Sequence, residues 1–150
     1  MIIALGTDHT GVKFKQNIIE FLNSLNHKVI DCGTFTEESC DYPEIASVVA
    51  KYVSDEKCDK GILLCGTGIG MSIVANKFPK IRAALCYGDE IAKLAKQHNN
   101  ANILCLPARF CKIEDMFKWI SIWLETPFSN EERHIRRINK INEIEKQILR

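Results

Sequence analysis

The run Cys65-Gly66-Thr67-Gly68-Ile69-Gly70 concentrates more potential chemistry than any other stretch of the chain. Three glycines alternating with small residues, placed between an apolar run and an amphipathic one, expose backbone N–H groups. Together with the dipole of a following helix they favour an anion. A cysteine at the tip of such a loop sits in a positive field that favours thiolate over thiol. A dinucleotide fingerprint G-x-G-x-x-G would need its third glycine where Met71 stands, one residue past Gly70. A cysteine phosphatase would need an arginine soon after its nucleophile, and the next arginine is Arg82. Two chemistries remain open on this pattern. The cysteine can carry phosphate, or a thiolate can move a proton while the loop stabilises an oxyanion.

Other polar residues stand where ligands are usually met. Asp8 and His9 follow one apolar run, Arg109 follows another, and His98-Asn99 closes an amphipathic stretch just before it. Taken singly, Asp8-His9 reads as a loop or cap pair, and His98-Asn99 as a helix C-terminus. Taken together, they are expected on one rim with Cys65. Arg133 and Arg137 are four residues apart and share a helical face. Ile135, Ile138, Ile141, Ile144 and Ile148 form a separate stripe suited to a core or to a partner helix.

The elements that must position these residues alternate along the chain. Short apolar runs at 2–5, 28–32, 61–65, 81–86 and 103–106 read as buried strands. Helical periodicity is expected over about 14–25, 42–53, 69–77, 89–97, 113–124 and 131–149. Strands alternating with helices predict an α/β fold: a Rossmann-like αβα sandwich with a five-stranded parallel sheet and a C-terminal helix. No linker or repeat interrupts it, so residues 1–150 are read as one domain. In such sheets ligands sit beyond the carboxyl ends of the strands.

Twenty basic against nineteen acidic side chains leave a net charge of +1, which argues against nucleic acid or an anionic membrane as partner. No apolar run approaches the roughly 18 residues of a membrane span, and the first residues lack the pattern of a signal peptide. A cytoplasmic location is the expectation. The seven cysteines show no CxxC pair and no metal-ligand spacing, so most are expected to be small buried side chains.

Seven runs carry a resemblance that spans nearly the whole chain: Gly6-Thr7-Asp8-His9-Thr10-Gly11, Asp31-Cys32-Gly33-Thr34, Asp41-Tyr42-Pro43, Cys65 to Gly70, Ala75-Asn76-Lys77, His98 to Asn102, and Arg133-His134-Ile135-Arg136-Arg137. They resemble the type B ribose-5-phosphate isomerases. The resemblance implies interconversion of D-ribose 5-phosphate and D-ribulose 5-phosphate in the non-oxidative pentose phosphate branch. By the same resemblance Cys65 is the base, Thr67 with the amides of Gly66, Gly68, Ile69 and Gly70 holds the enediolate, and His98 is the acid that helps open the ring. Asp8 and Asn99 meet sugar hydroxyls, and His9, Arg109, Arg133 and Arg137 meet phosphate, some across a dimer. A homodimer or dimer of dimers, with no metal and no cofactor, is implied. The chain departs from the family at Leu106-Pro107-Ala108 and at Ser129-Asn130-Glu131-Glu132. Alternatives are a related allose or galactose 6-phosphate isomerase, a cysteine phosphocarrier or phosphatase, and a non-catalytic nucleotide-binding module.

Overall fold

The computed structural model describes residues 1–148. Its elements follow as β1 (Ile2–Thr7), α1 (Val12–Ser24), β2 (Lys28–Asp31), α2 (Tyr42–Ser54), β3 (Lys60–Cys65), α3 (Ile69–Ala75), β4 (Ala83–Leu85), α4 (Asp89–Gln97), β5 (Ile103–Pro107), α5 (Ile113–Glu125) and α6 (Glu132–Ile148). Every strand pair is parallel, in the order β2-β1-β3-β5-β4. This is the expected Rossmann-like sandwich with its C-terminal helix. Residue 149, included in the expected last helix, lies outside the described residues.

Burial on both faces explains the unbroken apolar runs of β3 and β5. Side chains alternate between the two faces. Leu5, Ile62, Leu64 and Leu106 pack with Ile18 and Leu22 of α1, Ala92 of α4, and Met116 and Trp123 of α5. Ala4, Leu63, Cys65 and Cys105 pack on the other face with Val49 and Val53 of α2 and Met71 of α3. The helices after β1 and β5 thus lie on one face and the helix after β3 on the other. Chains leaving adjacent strands in opposite directions open a crevice on each side of the carboxyl end of β3.

Helix ends follow local chemistry. Pro43 and Glu44 open α2, and α4 has Asp89 and Glu90 in its first turn and Lys96 in its last, as the helix dipole favours. Trp119 Nε1–H donates to Asp89 Oδ1 at 3.0 Å and ties α5 to α4. The edge strand β4 is shorter than the apolar run 81–86 predicts. Side chains take over at its start: Asn102 Oδ1 accepts the Arg82 N–H at 2.8 Å, and Asn76 Oδ1 accepts the Ala83 N–H at 2.9 Å. No helix among the described residues is long and apolar enough to cross a membrane.

Candidate active site

Cys65 ends the central strand and is 4% exposed. Pairing with Pro107 continues past it, since Cys65 O accepts the N–H of Ala108 and Gly66 O that of Arg109. The chain then turns, and the Gly68 N–H donates to Cys65 Sγ at 3.2 Å. That turn requires glycine. Gly68 has φ +74, and a Cβ there would lie 2.5 Å from Leu85 Cδ1 and 3.2 Å from the carbonyl carbon of Leu106. Thr67 is exposed, and its Oγ1 accepts the Ile69 N–H at 3.2 Å, a bond that does not use the hydroxyl proton. The N–H groups of Gly66 and Thr67 donate to no protein acceptor among the described residues. Arg109 folds back over this loop, so that a Cβ on Gly66 would stand 3.4 Å from its Nε. At the other end, a side chain on Gly70 would collide with the ring of Tyr42.

Asp8 and His9 lie beside this loop, at the end of the neighbouring strand β1. The Asp8 N–H donates to Leu64 O at 3.0 Å. Asp8 is buried, and its Oδ1 accepts both the N–H and the hydroxyl of Thr10 at 2.8 and 2.6 Å. It is therefore a turn residue, and Oδ2 has no protein donor among the described residues. His9 Nδ1 accepts the Cys40 N–H at 3.4 Å, so the loop between β2 and α2 orients the ring. Buried Lys15 anchors that loop: its Nζ lies 2.9 Å from Asp31 Oδ2 and donates to Thr34 O at 2.7 Å.

His98 and Asn99 do not share this rim, contrary to the expectation from sequence. In a parallel sheet the connecting helix runs back against the strands, so the C-terminus of α4 lies at the amino edge. The contacts agree: Arg82 Nε donates to Asn99 O at 2.9 Å, and Asn102 O accepts the N–H of Gly61 at the start of β3. β3 has six residues, which at about 3.3 Å each separates the two edges by roughly 16 Å. The first turn of α6 joins the amino-edge group. Ser129 N–H donates to Gln97 O at 3.2 Å, and the rings of His98 and His134 are 4.2 Å apart. Arg133 and Arg137 are exposed on that turn and the next, and Arg133 Nε donates to Glu131 Oε2 at 2.8 Å. A cavity of ≈ 720 Å³ also lies here, lined by Asn99, Arg82, Leu85, Ile141 and Ile144, not by Cys65.

Known proteins share this fold. The family model described as Ribose/Galactose Isomerase matches residues 3–141. Ribose-5-phosphate isomerase B of Escherichia coli is 41% identical over 145 residues, covering 97% of each chain. The chain belongs to the ribose/galactose isomerase family. Among solved structures, ribose-5-phosphate isomerase B of Clostridium thermocellum superposes with a TM-score of 0.95 at 43% identity over 99% of each chain. The Mycoplasma genitalium enzyme, solved with bound ribulose-5-phosphate, gives 0.93 at 40% identity over 97% of this chain and 96% of that one.

Within this family member several residues around the site have no role that the sequence pattern assigns. Tyr42, read as the start of a helix, walls the loop at Gly70. Lys15 looks like one more surface lysine of an amphipathic helix, yet it is buried. Arg82 caps the carbonyl end of α4, its Nη2 donating to Asn100 O at 3.1 Å. Lys96 donates to Asn100 Oδ1 at 2.8 Å, and burial, with Lys60 and Arg82 nearby, pulls its amine down to about 8. Asn100 takes a left-handed φ of 44, as helix C-caps do. His134 had a signal, its place in the run 133–137, but no role attached to it.

Proposed function

We propose that this chain is an aldose–ketose isomerase that interconverts D-ribose 5-phosphate and D-ribulose 5-phosphate through an enediolate. It works as one isomerase domain in the non-oxidative pentose phosphate branch. The observation that carries the reading is the Cys65 loop: a sulphur held by one N–H at the end of the central strand, beside free N–H groups and the exposed Thr67. The names of its relatives supply the substrate.

Cys65 as thiolate takes the proton from C2 of the open-chain aldose and returns it to C1. Negative charge that develops on O1 is met by the Gly66–Gly70 loop, whose Gly66 and Thr67 N–H groups have no protein acceptor among the described residues, and by the Thr67 hydroxyl. His98 delivers a proton to the ring oxygen as the C1 hydroxyl loses its own, which opens the furanose. Asp8 and Asn99 engage sugar hydroxyls, while His9, Arg109, Arg133 and Arg137 hold the phosphate and supply binding energy away from the reacting carbons. Two edges roughly 16 Å apart cannot serve one five-carbon sugar from the same chain. The complete site therefore joins the Cys65 edge of one chain to the His98 and Arg137 edge of another. Exposed apolar side chains near both edges support this pairing: Ile69 and Ile73 on α3, and Ile135, Ile141 and Ile144 on α6.

The test is to mix purified protein with ribose 5-phosphate alone and follow ketose formation. Ketose should accumulate to equilibrium, and no ketose would overturn the reading. Allose and galactose 6-phosphates run in parallel measure substrate breadth. A phosphate covalently attached to Cys65, detected by mass, would instead favour the phosphocarrier.

A further inference from the structure

We propose that His134 is a positioning residue for His98: a buried imidazole, held by Ser129, against which the ring of His98 is kept in place for proton transfer. The inference rests on the reading of His98 as the ring-opening group. His134 is 1% exposed, on a helix whose other described side chains are half-buried or exposed. Its ring centroid lies 4.2 Å from that of His98, with the planes inclined by 39°. Its Nδ1 lies 2.7 Å from Ser129 Oγ, and that oxygen also accepts the Glu131 N–H at 3.3 Å. In this proposal Ser129 gives its own proton to Nδ1, which leaves the ring proton of a neutral His134 on Nε2.

The same serine is tied to α4 through its N–H on Gln97 O. One backbone bond and one ring contact thus couple the start of α6 to the residue that ends α4. His98 needs the support. Its N–H bonds Leu94 O as the C-cap of α4, but its ring makes no hydrogen bond among the described residues. Burial is the main influence holding the His134 imidazole below its ordinary range; His98, Arg133 and Arg137 act in the same direction and Glu131 opposes them. A neutral His134 leaves His98 as the member of the pair that cycles a proton.

Three variants of the full chain test this: His134→Ala, His134→Phe and Ser129→Ala. With ribose 5-phosphate, His134→Ala should lose about 10- to 100-fold in kcat, the scale of an ångström's misplacement, with KM within about twofold. His134→Phe keeps a flat ring in the same place and should recover most of that loss. Nitrogen NMR of the wild-type ring should report the Nε2–H tautomer, more than half neutral at pH 6.5. Ser129→Ala should mix the tautomers and lower kcat by a smaller factor. Full kcat in His134→Ala, a loss carried by KM, a phenylalanine variant as damaged as the alanine one, or a His134 charged at neutral pH would each overturn the proposal. If His134→Ala does not fold, the tautomer and the serine variant decide. A wild type that does not turn over ribose 5-phosphate would remove the functional reading itself, and the two failures are thereby distinct.

Discussion

Cys65 differs from most of the other cysteines in what surrounds its sulphur. Burial pushes the thiols of Cys32, Cys86 and Cys111 up to about 11 and that of Cys105 higher still. Those four remain thiols at neutral pH. Cys65 alone stands at the strand end with a loop N–H on its sulphur and a cradle of amides beside it. Cys65→Ala should reduce kcat by on the order of 10²–10⁴, the contribution typical of a general base, while substrate affinity, measured by titration calorimetry, stays close to wild type. The roles of Cys65 and His98 separate in an exchange experiment in deuterated water. Exchange at C1 of ribulose 5-phosphate needs the base and the enediolate cradle, but no furanose ring. His98→Asn should therefore keep deuterium uptake into ribulose 5-phosphate while losing turnover of ribose 5-phosphate, which is mostly cyclic. Cys65→Ala should lose both, and loss of uptake in His98→Asn would assign the histidine to proton abstraction.

The Cys65 loop depends on an element junction as much as on its own residues. Gly68 is held between Leu85 of β4 and Leu106 of β5 at a positive φ. Gly68→Ala should cost about 1–3 kcal/mol of stability, as left-handed strain at a crowded position does. It should also lower kcat, because the shifted backbone removes the N–H from Cys65; denaturant unfolding and steady-state rates read the two effects. The α4–α6 junction has a pH signature. His134 in the folded chain holds its proton less tightly than in the unfolded one. Its contribution to stability is complete above about pH 6.5, the ordinary histidine range, and is lost as pH falls through and below it. The urea midpoint should drop between pH 7 and pH 5, and His134→Phe should flatten part of that drop.

For the whole molecule, the separation of the two edges turns a question about residues into one about chains. Cys65→Ala and Arg137→Ala homo-oligomers should each be poorly active. Co-expressed, they should form mixed dimers in which one of the two sites has both residues intact. That site should restore activity well above either parent, in a mixture whose heterodimer content is measured by native mass spectrometry. No recovery would mean that Arg137 serves its own chain. The arginine parent should show its damage mainly in KM, since phosphate binds ground and transition states alike.

By itself the sequence determined the sheet, the helices and the place of the Cys65 loop, because burial imposes periods of 2 and 3.6 that any window of chain displays. Alternating strands and helices are a local property, and so is a glycine turn after an apolar strand. Tertiary structure alone decided which edge each polar group occupies. His98 precedes β5 in sequence, as Cys65 precedes α3, but α4 runs against the strands and carries His98 to the opposite edge. It also decided the contacts that hold the site: Tyr42 on Gly70, Lys15 on Thr34, His134 on His98. Each joins residues well separated along the chain through single side chains, and such pairs leave no periodic trace. They exist only once the packed core has set the distances between elements.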